Sequence, residues 1–390
     1  MSMGNITRRE MVGRVAGALG GLAAAPMINR NRYRIFAQSA DDYSARTLAL
    51  LERSTVLDML GVLSIDGTWS GWARNPESFG EADHALYRSS GIHVFHHAFG
   101  LGGLNAYDSA LRYVASLNAL VAGAERYFMR ITSGNDLQRV RESGKTGILI
   151  GIQNADHFRT PDDVELFHAL GLRISQLTYN ARNRIGNGAT ERVDGGISNF
   201  GVAIIERMNR VGMAIDVSHC ADQTTLDAFE ISRRPVLITH SNCRALVPGH
   251  PRCKTDEAIR AMARSGGVMG ITGVRNFVTL EEPTTIDHVI DHFDHVRRLV
   301  GSEHLGVGSD MDLFGYDALP AEMQASLRAG YADTYAFRDR IDIEGLDHPK
   351  RMFDLTEGLV RRGFGDDEIE GILGKNFIRV LSELWTPSEA

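Results

Sequence analysis

The sequence has little cysteine, few aromatic residues and no long hydrophobic run. Its three cysteines, Cys220, Cys243 and Cys253, are too few for a disulfide scaffold, and their odd number leaves at least one thiol unpaired. Aromatic residues make up 7% of the 390 residues, the formal net charge is −7 and no long basic block is present. We therefore expect no nucleic-acid partner. No segment is apolar over enough length to cross a bilayer permanently.

The first 39 residues differ in composition from the rest of the chain. Arg8 and Arg9 precede a stretch rich in alanine and glycine, and a small-x-small pattern typical of a cleavage site follows at 37–39. This arrangement predicts a twin-arginine export signal over 1–39 and a periplasmic or exported protein. The alternative is an uncleaved amphipathic helix leading into the domain. The remaining residues, 40–390, are predicted to form one domain with additional helices at its C-terminal end.

From residue 55 onward, short apolar runs alternate with longer segments of helical spacing. Such alternation predicts a parallel sheet, because parallel neighbours need a crossover helix. Eight units close most naturally into an α/β fold of the (β/α)₈ TIM barrel type. A doubly wound open sheet is the alternative, although no Gly-x-Gly-x-x-Gly follows the first strand. The predicted strands are 55–61, 92–99, 146–154, 172–180, 213–219, 234–241, 266–272 and 304–312.

Polar side chains cluster where the predicted strands end, which is the face that carries the active site in such barrels. His219 and His240 end adjacent strands, so both imidazoles can reach one cation. Asp310, at the end of the last strand, would face the same centre as a ligand or a base. Further polar residues at these ends are His96, His97, Gln153, Asn154, Asp156, His157, Tyr179, Asn180 and Asp312.

Six motifs resemble the renal (membrane) dipeptidase family of zinc peptidases, family M19. They are "LGLRISQLTYNARN", "GGISNFGVAIIERMNRVGMAIDVSHC", "PVLITHSNCRAL", "HPRCKTDEAIRAMARSGGVMGI", "LGVGSDMD" and "LVRRGFGDDEIEGILGKNFIRVL". The resemblance covers most of the chain after about residue 140. It implies a (β/α)₈ barrel of the metallo-dependent hydrolase type, with a binuclear zinc site that hydrolyses dipeptides.

The resemblance also implies roles for individual residues. His219 and His240 match the two strand-end zinc ligands, and Asp310 matches the acid/base residue on the last strand. Arg252, in "HPRCKTDE", matches the arginine that holds the substrate's carboxylate, a role that suits a planar guanidinium.

The sequence departs from the family pattern at four positions. Leu60 and Val62 stand where the first strand normally supplies a His-x-Asp pair of metal ligands. Gln153 replaces a bridging glutamate, and a neutral amide is a poorer ligand that cannot neutralise two dications. Tyr179 replaces a histidine that contacts substrate. These departures favour one zinc ion over two, and His96, His97 and Asp156 are left open as replacement ligands.

Two functions are compatible with these observations. The first is a metal-dependent hydrolase that cleaves a dipeptide or a similar small amide with a free carboxylate. Gln153 or Asp310 would complete its zinc site, and Tyr179 and Asn180 would contact the substrate, with Tyr179 donating to the developing oxyanion. The second is a dipeptidase-like barrel without the binuclear site, which binds a small carboxylate or catalyses a non-peptidase step in a biosynthetic pathway. A homodimer is compatible with both.

Overall fold

A computed structural model describes residues 43–65, 68–335, 338 and 340–386. The predicted export signal lies outside these residues. The nine strands of the sheet are all parallel to their neighbours. They are β1 (Leu57–Asp58), β2 (Val94–Phe99), β3 (Phe128–Arg130), β4 (Thr146–Ile152), β5 (Ile174–Gln176), β6 (Ala214–Asp216), β7 (Val236–Ser241), β8 (Met269–Ile271) and β9 (Leu305–Val307).

Helices separate the strands, as the alternation in the sequence predicts. They are α1 (Ala45–Arg53), α2 (Trp69–Arg74), α3 (Glu81–Ser89), α4 (Ala106–Gly123), α5 (Gly134–Ser143), α6 (Asp163–Ala169), α7 (Asn199–Val211), α8 (Asp222–Ile231), α9 (Asp256–Arg264), α10 (Ile286–Val300), α11 (Ala321–Tyr335), α12 (Arg351–Arg361), α13 (Asp366–Glu370) and α14 (Asn376–Trp385). Within the described ranges, none of them combines the length and hydrophobicity needed for a membrane crossing.

Eight of the strands follow one another around a barrel in the order β1, β2, β4, β5, β6, β7, β8, β9. Backbone hydrogen bonds between the first and last strands close it: Met59 N–H donates to the Val307 carbonyl at 2.8 Å, and Val62 N–H donates to the Met311 carbonyl at 2.9 Å. The predicted barrel is confirmed, and each of the eight predicted strands overlaps an observed one. Most of the observed strands are shorter, so that 217–219 and 308–312, which were predicted as strand, lie beyond the strand ends. The extra strand β3, which pairs with β4 outside this path, was not predicted.

Helix α7 illustrates how local sequence signals set the element boundaries. The Ser198 side chain accepts the Gly201 N–H at the start of the helix, and Gly212 ends it. Ile204, Ile205 and Met208 recur at helical spacing and are fully buried against the barrel. Each such side chain contributes about 1.5–3 kcal/mol by leaving water, so the apolar face holds the helix in place.

The C-terminal helix α14 covers the end of the barrel at which the strands begin. Phe377 and Leu381 join a buried cluster with Leu57 and Leu149 from the barrel strands. Asn376 donates to the carbonyls of Ser302 and Leu305 at the start of β9. Because α14 occupies this end, the carboxyl ends of the strands lie at the opposite face.

A buried ion pair joins the first strand to the segment after the last. Asp58 and Arg351 lie 3.1 Å apart, with 0% and 1% of their side chains exposed. Asp58 also accepts the N–H and hydroxyl of Ser309, and Arg351 donates to the Asp312 carbonyl. The pair therefore fixes the chain on both sides of Asp310.

We predict that Arg351→Met lowers the free energy of unfolding by about 3–5 kcal/mol, because it leaves the Asp58 carboxylate buried without a counter-charge. Denaturant unfolding measures the change. The control is Glu81→Gln, which removes the exposed pair with Arg126 and should cost at most about 1 kcal/mol. Similar losses in the two variants would contradict the structural importance of the buried pair.

Candidate active site

Two imidazoles meet at the face of the barrel where the strands end. His219 follows the end of β6, and His240 lies within the neighbouring strand β7. Their Nε2 atoms are 3.0 Å apart, and 2% and 0% of the two residues is exposed. The predicted convergence of these two side chains is therefore confirmed.

Hydrogen bonds at the outer nitrogens determine which ring atoms carry protons. His219 Nδ1 lies 2.8 Å from the side-chain oxygen of Asn180, so it must donate. His240 Nδ1 lies 2.8 Å from the Thr239 hydroxyl oxygen. Thr239 gives its only hydroxyl proton to Asp216 at 2.7 Å, so it accepts from His240. Both neutral rings thus carry their proton on Nδ1, and both Nε2 atoms present a lone pair.

Two lone pairs that face each other at 3.0 Å repel unless a cation lies between them. A proton is disfavoured there, because burial and the nearby Arg252 guanidinium hold the pKa of both histidines well below its ordinary value. Two zinc–nitrogen bonds of about 2.0–2.1 Å at a tetrahedral angle would separate the nitrogens by about 3.3 Å. The donor pair, with both outer nitrogens hydrogen-bonded, therefore offers two of the three protein ligands that a catalytic zinc site uses.

Arg252 forms hydrogen bonds with the backbone next to both histidines. Its guanidinium is fully buried and donates from Nη1 to the Ser218 carbonyl and from Nη2 to the His240 carbonyl, the latter at 2.9 Å. Its Nε–H has no partner among the described residues. The two terminal nitrogens of the guanidinium thus bind the backbone, and the buried Nε–H is left to bind a ligand. The predicted contact with a substrate carboxylate stays a prediction.

Asp310 follows β9, the last strand of the barrel. Its backbone is left-handed, with φ of 59°, and its N–H donates to the Leu60 carbonyl at 2.7 Å. The pKa of its carboxyl is raised to about 7, mainly by burial and to a smaller extent by the charge of Asp58. The charge of Arg252 and a hydrogen bond from Tyr316 act in the opposite direction and lower this pKa. A carboxyl with a pKa near neutrality can accept and return a proton.

Tyr179 and Asn180 support His219 directly. The Tyr179 ring stacks on the His219 imidazole, with centroids 4.2 Å apart and an interplanar angle of 21°. On its other side the ring lies against Gly100, where an added Cβ would come within 2.9 Å of ring carbons. Asn180 is left-handed, with φ of 56°, which aims its amide at His219. The predicted substrate contacts of these two residues stay predictions.

The other candidate ligands have different partners. Gln153 is buried and donates from Nε2 to the Ala98 carbonyl at 2.9 Å. His96 Nδ1 lies 2.6 Å from the Met59 carbonyl, His97 Nδ1 accepts the Leu63 N–H, and Asp156 accepts the Gly103 N–H. Across the described part of the chain, no group of three or more His, Cys, Asp or Glu side chains is arranged to hold a metal ion. The histidine pair is thus not joined by Asp310, His96, His97 or Asp156 in such a group, and the predicted third ligand is not found among these residues.

Sequence reasoning missed two contributors to the site. Thr239 sets the His240 tautomer, and its position directly before a predicted ligand was the available signal. The Tyr316 hydroxyl lies 3.4 Å from the Asp310 carboxylate. Tyr316 lies four residues beyond the predicted strand 304–312, and no pattern in the sequence indicated that the chain turns back there.

A family model matches residues 81–329, well over half of the chain, and is described as membrane dipeptidase, peptidase family M19. The chain belongs to peptidase family M19. This finding confirms the resemblance seen in the motifs and the assignment to a family of hydrolases. The predicted barrel likewise agrees with the family's solved folds.

Among curated M19-type relatives, dipeptidase verJ of Clonostachys rogersoniana is 29% identical over 284 residues, which is 71% of this chain and 66% of the relative. Dipeptidase tcpJ of Claviceps purpurea is 29% identical over 64% of this chain and 54% of its own length. Rat dipeptidase 3 is 28% identical over 65% of this chain and 48% of its own length. The matches thus span about half to two thirds of the length of these relatives.

Solved structures share the fold over nearly their whole length. An amidohydrolase from Pseudomonas aeruginosa matches with a TM-score of 0.74 and 28% identity, covering 87% of this chain and 99% of that structure. The probable dipeptidase PvdM from the same organism matches with a TM-score of 0.71 and 19% identity, covering 88% of this chain and 98% of that structure. At that lower identity the second match supports the fold alone.

We predict that Asn180→Ala is less stable than Asn180→Gly by roughly 0.5–1 kcal/mol. Both variants lose the bond to His219, but alanine also strains the left-handed backbone, a cost partly offset by the extra freedom of glycine in the unfolded chain. The matched control is Asn209, inside α7, where the order should reverse because glycine disfavours helix. The same order at both positions in denaturant unfolding would contradict the prediction.

Proposed function

We propose that this M19 protein hydrolyses a dipeptide, or a similar small amide with a free carboxylate, using one zinc ion held by His219 and His240. The facing Nε2 atoms of these two residues carry the proposal, because their fixed outer nitrogens leave two neutral donors aimed at one point. The names of the curated relatives, all dipeptidases, support the substrate class.

The residues at the site support a single ion rather than two. Leu60, at the expected position of a ligand on the first strand, is fully buried and apolar, and Val62 offers no donor atom in its side chain. Gln153 brings a neutral amide whose Nε2 is already bonded to Ala98. A second dication would therefore lack both its side-chain ligands and a bridging charge.

A bound zinc ion would supply Lewis acidity toward the substrate carbonyl and the attacking water. The chain's own residues supply the rest. Asp310 accepts a proton at its carboxylate and returns it to the leaving amine, a task for which a pKa of about 7 is suited. Arg252 offers its unpartnered Nε–H to the substrate carboxylate, a charge-assisted bond in a buried setting. The Tyr179 hydroxyl is proposed as the donor to the developing oxyanion.

We expect protein purified without chelator and supplemented with zinc to contain about one ion per chain, measured by inductively coupled plasma mass spectrometry. His219→Ala and His240→Ala should each lower this to a small fraction, because one imidazole cannot hold the ion. His168→Ala, on helix α6, is the control and should leave the content unchanged. Two ions per chain would contradict the single-ion site, and none would contradict a metal-dependent hydrolase.

We expect Asp310→Asn to retain zinc but to lower kcat/KM for dipeptides by about 10²–10⁴-fold, because the amide cannot take up the proton. In the wild type, kcat/KM should rise as the pH increases through about 7, since the base is active only when ionised. Asp312→Asn changes the same segment and is the control. Equal losses in the two variants would argue against a specific role for Asp310.

A further inference from the structure

The segment after β9 carries a tyrosine into the site. Tyr316 is half-buried, and its hydroxyl lies 3.4 Å from one oxygen of the Asp310 carboxylate. That distance is long for a hydroxyl–carboxylate hydrogen bond, and such contacts commonly tighten when a ligand closes the site. The ring packs on a small buried cluster that includes Cys253 and Phe277. The same Phe277 ring lies 5.4 Å from the Arg252 guanidinium carbon, so Tyr316 and Arg252 pack on a common ring.

The backbone that presents Tyr316 is held in one conformation. The buried Asp342 carboxylate accepts the N–H of Tyr316 at 2.9 Å and that of Asp317 at 2.6 Å. Gly315 is left-handed, with φ of 80°, and a Cβ there would lie 2.6 Å from an Asp342 oxygen. The turn therefore requires glycine and fixes the direction in which Tyr316 leaves the backbone.

We propose that Tyr316 is a positioning residue, which donates a hydrogen bond to the Asp310 carboxylate and holds it in the orientation for proton transfer. The proposal rests on the proposed role of Asp310 as the proton carrier. The segment that begins after β9 would thus contribute to the site.

Three groups act on the Asp310 carboxyl from the elements packed around it. Arg252, from the loop after β7, and Tyr316 both favour the ionised form, whereas the charge of Asp58, from β1, disfavours it. Removal of the Tyr316 hydroxyl leaves the other two groups in place. The pKa of Asp310 should then rise, so that the carboxylate becomes available only at higher pH.

The test follows the carboxyl of Asp310 by ¹³C NMR in zinc-loaded protein labelled at aspartate, from about pH 5 to about pH 9. The Asp310 signal is assigned by its loss in Asp310→Asn. In Tyr316→Phe the midpoint should rise by roughly half a pH unit or more, as expected for the loss of one hydrogen bond to a charged group. Gly315→Ala, which keeps the hydroxyl but disturbs the turn, should shift it in the same direction.

The matched control is Tyr113→Phe, which removes a hydroxyl bonded to the His97 carbonyl at 2.7 Å. It should leave the Asp310 midpoint unchanged while lowering stability. An unchanged midpoint in Tyr316→Phe, or an equal shift in Tyr113→Phe, would overturn the proposal.

Kinetics give a second readout. In Tyr316→Phe, kcat/KM for a dipeptide should fall several-fold near pH 6 and recover toward the wild-type value near pH 9, where Asp310 is ionised regardless. A loss of the same size at every pH would point to a structural role and overturn the proposal. If the wild type hydrolyses no dipeptide, the proposed function fails, whereas the NMR titration still decides the role of Tyr316.

Discussion

The hydrogen bonds at the outer nitrogens of His219 and His240 determine the chemistry of this site. Either imidazole could carry its proton on either nitrogen, and the inner atoms could then have formed an ordinary N–H···N bond. Asn180 and Thr239 remove that choice, because each accepts the proton on the outer side. Asp216 completes the arrangement by taking the Thr239 proton. Two neutral electron donors are left facing one position.

The site is uneven around the barrel. The strands β6, β7 and β9 carry or lead to its polar groups: the histidine pair, Arg252 and Asp310. On the side of β1, the apolar residues Leu60 and Val62 stand where other family members are expected to bind metal. The side of β1 is charged as well, through the buried Asp58–Arg351 pair, but Leu60 and Val62 offer no ligand side chain. The backbone of β1 nevertheless pairs with the segment after β9, so the difference lies in side-chain identity.

The barrel and the histidine pair were predictable from the sequence because both depend on regular spacing. Buried parallel strands read as apolar runs, and their carboxyl ends must meet at one face. Strand β3 was missed because it lies outside the barrel, pairs only with β4 and carries no apolar run, since Arg130 is exposed. Tyr316 was missed for a different reason: its position depends on a turn fixed by Asp342, which lies far along the chain. Tautomers likewise depend on contacts between distant residues such as Asn180 and His219.

Helix α14 has a practical consequence that follows from its place beneath the barrel. The apolar residues of α14 close the interior of the barrel at the end where the strands begin. Arg234, just before β7, donates to the carbonyls of Glu383 and Thr386 at the C-terminal end of α14. A fluorescent partner or a solid support joined beyond this helix would project from the face opposite the histidines and leave substrate access unobstructed. Trimming the helix itself would open the hydrophobic interior to solvent from below.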